Sequence, residues 1–288
     1  MSSTDASGDI VLGAGVDRIG EDRLGWAFLD LCDRNAWWPV FYEVRGENLP
    51  LYLDLGLSPL KIGEDARVPL ATFRLEGSDW KSQRHVLNKL DKEGCVLEVV
   101  PASGVDAILP ELATVSDTWL AEKRTREKGF SLGRFDAAYL CQLPVATVHK
   151  DGRLIAFANL WTCADHSEVS VDLMRHAPDA PSGVMEWLFL RLMVWARDEG
   201  YGHFDLGMAP LSGLPGRALA SRWSRFGSLI YAHGENFYNF QGLRRFKEKF
   251  RPEWKPMYLA CPGGLALPRI LANVAALVNG GLRGMVIK

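Results

Sequence analysis

Hydrophobic positions along the chain recur with two periods, and these predict an alternation of helices and strands. Apolar residues three or four positions apart are typical of amphipathic helices, whereas runs of β-branched and aromatic residues are typical of strands. We predict helices over Asp22–Arg34, Leu49–Leu55, Ser78–Glu93, Asp106–Lys128 and Val184–Glu199. We predict strands over Pro39–Val44, Val96–Val100, Val145–His149, Leu154–Thr162, Glu168–Met174 and His203–Gly207.

A stretch rich in turn-forming residues, Pro101–Gly104, predicts a hinge between two subdomains. These are residues 1–102 and residues 103–288, and we expect the second to hold the catalytic site and a C-terminal helix. Strands followed by a buried helix and another strand predict an α+β fold, in the element order of GCN5-related N-acetyltransferases. We expect two such copies in tandem, the first incomplete because too few strands precede the helix at Asp22.

The composition is that of a globular chain without a strong charge bias. The 288 residues are 48% hydrophobic with a formal net charge of -2, so a polyanion site requires local clusters of Lys and Arg. Five cysteines without CxxC spacing predict reduced thiols, and the six histidines lack the spacing of metal ligands. We therefore expect no metal and no cofactor. No run reaches the roughly 18 apolar residues of a membrane span.

Two basic clusters are candidates for binding a polyanion. The denser one, Phe237–Arg251, interleaves five cations with aromatic residues, a combination that suits phosphates and stacked bases. At helical spacing Arg244, Lys247 and Arg251 form one row, which is either a phosphate contact or an ordinary solvated face. The second cluster lies on the helix over Ser78–Glu93, where an ordinary amphipathic helix is the alternative. The candidate cations are Lys81, Arg84, Lys89, Arg244, Arg245 and Arg251.

The strand over Glu168–Met174 ends among polar residues that suit a reaction centre. Asp172 and Arg175 could bind the amino group and the ester end of an aminoacyl-adenosine, or they could form a structural ion pair. His176 follows as a candidate acid or base. The next loop, residues 175–183, has one Gly and two Pro, and each Pro removes an N–H donor for pyrophosphate. This argues against coenzyme A as the donor.

Near the C-terminus, Leu265–Val278 predicts an amphipathic helix with a narrow polar stripe at Arg269 and Asn273. Such a helix either lies on a membrane surface or packs on its own domain.

Several long runs resemble the C-terminal domain of bacterial lysyl- and alanyl-phosphatidylglycerol synthases, the multiple peptide resistance factor family. The resemblance covers roughly residues 21–281. The similar runs are Pro39–Val44, Lys61–Gly94, Gly129–Asp136, Ile155–Asn159, Ser170–His176, Phe204–Leu211 and Phe237–Phe250.

The resemblance implies an aminoacyltransferase (EC 2.3.2 type) that moves alanine or lysine from aminoacyl-tRNA to phosphatidylglycerol. It also implies that the enzyme acts at the cytoplasmic face of the bacterial inner membrane, beside a fused or separate transmembrane flippase. The modified lipid would give the cell resistance to cationic antimicrobial peptides. The matching positions are Asp172, Arg175, Lys247 and Lys249 for catalysis and Glu235, Tyr238 and His176 for substrate binding. The two basic clusters would bind tRNA. Alternatives are another lipid or peptide acceptor, or a non-catalytic tRNA- or membrane-binding module.

Overall fold

The computed structural model describes residues 2–4, 10–14, 21–123, 133–214 and 240–278. The α-helices in these ranges are α1 (Glu21–Arg34), α2 (Leu49–Asp54), α3 (Lys81–Lys92), α4 (Ala102–Lys123), α5 (Ala137–Leu140), α6 (Val184–Asp198), α7 (Phe240–Glu248) and α8 (Leu267–Val278). The strands are β1 (Ser2–Thr4), β2 (Ile10–Ala14), β3 (Trp38–Arg45), β4 (Ser58–Pro69), β5 (Val96–Val100), β6 (Val145–Lys150), β7 (Arg153–Thr162), β8 (Glu168–His176), β9 (His203–Pro210) and β10 (Glu253–Cys261).

The chain folds into two compact units that do not follow the order of the sequence. Among the described residues, unit 1 contains those up to Ala66, those from Met208 to Glu248 and those from Glu253 onward. Unit 2 contains Arg67–Gly207 and Lys249–Pro252. The predicted boundary at residues 102 and 103 therefore falls inside unit 2. The reason is that each unit combines strands from both halves of the sequence.

Unit 2 has the strand order β9-β8-β7-β6-β5, with the last residues of β4 next to β9. Strands β5 to β8 pair antiparallel, and α6 then crosses over so that β9 lies parallel to β8. This is the acetyltransferase-like order of strands, buried helix and strand that the sequence predicts, and the α+β fold class is confirmed. The core between α4 and the sheet includes Val105, Leu112, Phe157 and Leu173.

Unit 1 has the strand order β1-β2-β3-β10-β4, followed by the last residues of β9. Its β1 and β2 pair antiparallel, α1 crosses over, and β3 lies parallel to β2. A small core contains Phe41 and Tyr52, whose rings meet edge to face with centroids 4.9 Å apart. Strand β10, from late in the sequence, completes the sheet beside β3.

Most predicted elements are present within one to four residues at each end, but two boundaries are corrected. The predicted hinge at Pro101–Gly104 is the first turn of α4, which starts at Ala102. The strand predicted to end at Gly207 continues to Pro210 as β9.

Four strands were not predicted at all, namely β1, β2, β4 and β10, and the two longest of them contain residues that usually interrupt strands. β4 includes Gly63 and two Pro, and β10 includes Pro256. Gly63 is required by close packing, since a Cβ atom there would lie 2.5 Å from the carbonyl oxygen of Ala209. A local pattern cannot reveal such a strand, because its neighbours come from distant parts of the chain.

The C-terminal helix α8 packs on its own unit. Ile270 is fully buried and Val274 nearly so, while the Arg269 guanidinium lies over the Trp38 ring, 5.6 Å from its centroid. The sequence left two alternatives for this helix, a position on a membrane surface or packing on its own domain. For the helix face that includes Ile270, the structure supports packing on the domain. In the described part of the chain, no helix combines the length and apolar character needed to cross a bilayer.

Candidate active site

The sheet of unit 2 opens at the end of β8. Strand β8 pairs with β9 through only three residue pairs, Glu168–Ser170 with His203–Asp205. The following residues of β8, from Val171 to His176, pair with β7 alone. The side chains predicted for chemistry, Asp172, Arg175 and His176, therefore lie at a strand end whose backbone pairs with no second strand among the described residues. Such a gap beside a parallel strand pair is a common place for a ligand.

A β-bulge places Asp172 within this strand end. Between the pairs Ala158–Met174 and Leu160–Val171, the single residue Asn159 faces both Asp172 and Leu173. The side chain of Asn159 replaces part of the ladder, because its Oδ1 accepts the Leu173 N–H at 2.7 Å. Bulges redirect side chains and are frequent beside active sites. Here the bulge aims Asp172 toward Tyr139 of α5.

Asp172 and Tyr139 form a short polar contact. The Tyr139 hydroxyl donates to Asp172 Oδ2 at 2.5 Å. The same phenol oxygen accepts from Trp161 Nε1 at 2.6 Å and from Asn159 Nδ2 at 3.2 Å. Burial raises the pKa of Tyr139 to about 12, and the bond to Asp172 adds to this rise. The phenol is therefore protonated at neutral pH and acts on Asp172 as a donor.

Tyr139 and Trp161 were not predicted as site residues. Tyr139 lies in a four-residue helix, 33 positions before Asp172. Trp161 is half exposed on β7, where a sequence pattern suggests only a strand. The bulge that joins them to Asp172 has no local sequence pattern.

Arg175 has different neighbours from Asp172. Its guanidinium lies over the Trp119 ring of α4, 4.2 Å from the ring centroid, and one terminal nitrogen donates to the Met174 carbonyl at 3.0 Å. The residue is only 9% exposed. Next along the strand, His176 Nδ1 lies 3.0 Å from the Ala177 carbonyl oxygen. A buried guanidinium on an aromatic face is a fixed positive charge beside the open strand end.

The N-terminus of α6 contains a buried carboxylate. The helix follows Gly183, whose φ of +92° is left-handed, and Glu186 in the first turn is 7% exposed. Lys249 Nζ binds Glu186 Oε2 at 2.5 Å, and the backbone oxygen of Lys249 accepts from Gln83 at 2.9 Å. A pyrophosphate bound at this helix end would meet a carboxylate in its first turn, which disfavours coenzyme A there.

A separate groove of about 370 Å³ in unit 2 lies along α4. Its walls come from α4, the start of β7 and the segment after β8, and the Arg153–Asp179 ion pair of 2.6 Å is at its edge. None of the predicted site residues lines it.

The predicted basic cluster on α3 is partly engaged in structural bonds. Arg84 donates to the backbone oxygens of Leu75 and Gly77, at 2.7 and 2.6 Å. Lys89 is exposed and lies 3.9 Å from Glu93, and Lys81 is exposed at the start of the helix. Lys81 and Lys89 are therefore accessible to a polyanion, whereas Arg84 fastens the preceding loop.

The second basic cluster does not form the predicted row. Helix α7 ends at Glu248, so Arg251 lies beyond it, in the unit 2 part of the chain. There Arg251 binds Asp79 at 2.7 Å. Within unit 1, Lys247 is 6% exposed and donates to the Met208 carbonyl at 2.9 Å, whereas Arg245 is exposed and bonds to Gln241. The predicted substrate residues Glu235 and Tyr238 lie outside the described residues.

Arg244 is fixed in a network around Glu64 in unit 1. The guanidinium binds Glu64 at 2.6 Å and Glu248 at 3.0 Å, and it stacks over the Trp254 ring with its centroid at 4.0 Å. Lys61 Nζ binds Glu64 at 2.9 Å from the other side. Burial alone would raise the pKa of Glu64, but the bonds to Lys61 and Arg244 outweigh it, so that the pKa lies below its usual value.

Comparisons with known proteins place these features in a family. The family model described as "Phosphatidylglycerol lysyltransferase, C-terminal" matches residues 1–261. A phosphatidylglycerol lysyltransferase of Bacillus subtilis (strain 168) is 42% identical over 235 residues, which cover 81% of this chain and 27% of that protein. One from Staphylococcus aureus (strain MRSA252) is 32% identical over 279 residues, covering 95% and 33%. The chain thus spans about a third or less of the curated relatives it matches.

Two solved structures are similar over nearly the whole chain. The C-terminal domain of a putative lysylphosphatidylglycerol synthetase from Agrobacterium fabrum has a TM-score of 0.82 and 38% identity, covering 99% of this chain and 90% of that one. L-PGS from Bacillus licheniformis has a TM-score of 0.82 and 33% identity, covering 97% and 89%. These matches confirm the resemblance seen in the sequence.

Proposed function

Because the chain belongs to the family of phosphatidylglycerol lysyltransferase C-terminal domains, we propose that it transfers an amino acid from aminoacyl-tRNA to phosphatidylglycerol. The donor's ester bond to the tRNA ribose breaks, and a new ester forms with a glycerol hydroxyl of the lipid. The proton of that hydroxyl passes to the ribose oxygen that leaves. An aminoacyl ester is already activated, so this exchange needs no ATP.

The main structural support is the open strand end of unit 2. It holds a carboxylate, Asp172, and a buried guanidinium, Arg175, on one strand beside a gap in the sheet. A carboxylate suits the ammonium group of an amino acid, and a fixed cation suits the negative charge that develops on an ester oxygen during acyl transfer. Most of the rate enhancement would then come from positioning and charge stabilisation.

The remaining residues take supporting roles in this proposal. Lys249, paired with Glu186 in unit 2, is a candidate for holding the acceptor end of the tRNA or an oxyanion. Lys247 is buried in unit 1 and bonded to the Met208 carbonyl, so we propose a role for it at an oxyanion and not at a tRNA phosphate. His176 is a candidate contact for the substrate. Glu235 and Tyr238 keep their predicted role as contacts to the amino acid. The accessible cations Lys81, Lys89 and Arg245 suit the tRNA backbone, with Arg84, Arg244 and Arg251 as further predicted contacts.

The proposal includes the cellular setting implied by the family. Phosphatidylglycerol remains in a bilayer, so the reaction would take place at the cytoplasmic face of the inner membrane, next to a transmembrane flippase portion or partner. Adding alanine or lysine to this anionic lipid makes the membrane surface less negative, which would weaken the attraction of cationic antimicrobial peptides.

A transfer assay tests the proposal directly. The chain is incubated with phosphatidylglycerol vesicles and either radiolabelled Ala-tRNA or Lys-tRNA, and the lipid is then extracted. We expect label in the lipid fraction with one of the two donors, and none when free amino acid replaces the charged tRNA. Label that leaves the tRNA and appears in another lipid or in peptide would show a different acceptor. Charged tRNA that stays intact would contradict the transferase proposal.

A further inference from the structure

The two carboxylate oxygens of Asp172 have different surroundings. Oδ2 accepts a hydrogen bond from the Tyr139 hydroxyl. A Cβ atom on Gly133 would lie 2.7 Å from the same oxygen, so the Gly133 backbone encloses the Oδ2 side of the carboxylate. Only a residue without a side chain fits this position. In the described part of the chain, no donor binds Oδ1 of Asp172. One oxygen is therefore occupied and enclosed, and the other has no donor from the described residues.

The Tyr139 hydroxyl uses its full bonding capacity. It donates one hydrogen bond, to Asp172, and accepts two, from Trp161 and Asn159. A phenol has one proton and two lone pairs, so no capacity remains for a substrate. Tyr139 packs against the unit 2 core, and Asp136 caps its helix by accepting the Tyr139 N–H at 3.0 Å. These contacts fix the hydroxyl in space.

We infer that Tyr139, held by Trp161 and Asn159, is a positioning residue that aims Asp172 Oδ1 at the α-amino group of the donor amino acid. This inference rests on the proposed function and extends it to substrate selection. The ligand class is a primary ammonium attached next to an acyl carbon. A carboxylate fixed in this way distinguishes an α-ammonium from an α-hydroxyl, because only the ammonium is charged and donates several hydrogen bonds.

The test measures binding of two stable analogues. One is adenosine with alanine joined to its 3′ position by an amide, and the other has lactic acid in place of alanine. Alanine has no side-chain amine, so the pair isolates the α-amino group. By calorimetry at neutral pH we expect the wild-type chain to bind the alanyl compound about tenfold more tightly, the scale of one hydrogen bond to a charged group.

The Tyr139→Phe variant keeps the ring in the core and removes only the hydroxyl. We expect it to lose most of the preference for the alanyl compound, with little change in affinity for the lactoyl compound. Trp161→Phe, which removes one donor to the phenol, should reduce the preference by a smaller factor of about three. Tyr201→Phe is the matched control, because Tyr201 stacks on His166 in the same unit and makes no contact with this cluster.

A Tyr139→Phe protein that keeps the full preference would overturn the inference. If that variant does not fold by circular dichroism, an unchanged preference in Trp161→Phe overturns it equally. A general structural defect would weaken both compounds alike and leave their ratio unchanged, which also contradicts a positioning role. The assay needs neither tRNA nor lipid. A failed lipid transfer with an intact alanyl preference would therefore reject the proposed acceptor and leave this inference standing.

Discussion

Units 1 and 2 share the order strand, strand, crossover helix, strand, but their parallel strand pairs differ in length. In unit 1, β2 and β3 pair through five residue pairs, Ile10–Ala14 with Trp38–Tyr42, which use all of β2. In unit 2, β8 and β9 separate after three. A complete ladder covers the strand end, whereas after the early separation the later residues of β8 have no second paired strand among the described residues. This difference supports our proposal that the chemistry lies in unit 2.

The crossover helices show a related difference. α6 of unit 2 has Trp187, Leu190 and Met193 almost completely buried, whereas α1 of unit 1 leaves Leu24, Trp26 and Leu31 largely exposed. A helix packed on nearly all sides holds its strands rigidly, as a site with fixed donors and acceptors requires. In the described part of unit 1, Lys61 and Arg244 form a polar network around one carboxylate, Glu64.

The largest expected effect concerns the open strand end. Replacing Asp172 by Asn keeps the shape of the side chain and removes its charge. We expect turnover to fall about 100-fold, the scale of a lost transition-state contact. The measurement is initial rate with saturating aminoacyl-tRNA and phosphatidylglycerol vesicles. The control in unit 1 is Asp54→Asn, an exposed carboxylate on α2, which should keep the wild-type rate. Equal rates for the two variants would remove the functional distinction between the units.

The second prediction concerns Glu64 in unit 1. Replacing Glu64 by Gln leaves Lys61 and Arg244 without their shared carboxylate. We expect the free energy of unfolding at neutral pH to fall by about 2 kcal/mol, as for a hydrogen bond to a charged group. Urea unfolding measures it. The matched control is Glu47→Gln, an exposed glutamate of the same unit, which should have almost no effect.

The same pair of variants has a defined pH dependence. Because the pKa of Glu64 is lower in the folded state, its ionised form stabilises the fold above the unfolded pKa near 4.5. This stability is lost as the pH falls through the lower, folded pKa. The difference between wild type and Glu64→Gln should therefore shrink below about pH 4.5. A difference that stays constant across this range would show that Glu64 stabilises unit 1 by packing and not by charge.

The sequence alone predicts much of unit 2 and less of unit 1. The long apolar run Val184–Glu199 and the β-rich runs before it have clear periodicity, so α6, β6, β7 and β8 are found nearly in place. Strands β4 and β10 were missed because their Pro, Gly and charged residues lower local strand propensity. Their conformation is set by neighbouring strands far away in the sequence. Long-range pairing thus overrides local preference.

The candidate site shows the same limit. Asp172 and Arg175 could be predicted, because polar residues at the end of an apolar strand are conspicuous. Tyr139 and Trp161 could not, since a bulge and a short helix bring them to Asp172. The sequence also does not reveal which cations are accessible to solvent. Arg245 and Lys247 are two positions apart on one helix, yet Arg245 is exposed and Lys247 is buried. Periodicity gives a helix face but not what covers it.

The smallest expected effect concerns tRNA binding, and it asks which unit provides the phosphate contacts. Each cation that neutralises a phosphate releases counterions, which adds about 0.7 to 0.9 to the slope of log affinity against log salt. We expect the double variant Lys81→Gln and Lys89→Gln, in unit 2, to lower that slope by nearly two contacts, and Arg245→Gln, in unit 1, by one. Lys247→Met should leave the slope unchanged, because a buried ammonium bonded to the Met208 carbonyl is not accessible to a phosphate.

The measurement is the affinity for tRNA over a salt series at fixed pH. A loss of slope with only the Lys81 and Lys89 variant would assign tRNA binding to unit 2 along with the chemistry. If Lys247→Met lowered the salt slope as much as Arg245→Gln, burial in the free protein would not decide which cations contact the tRNA.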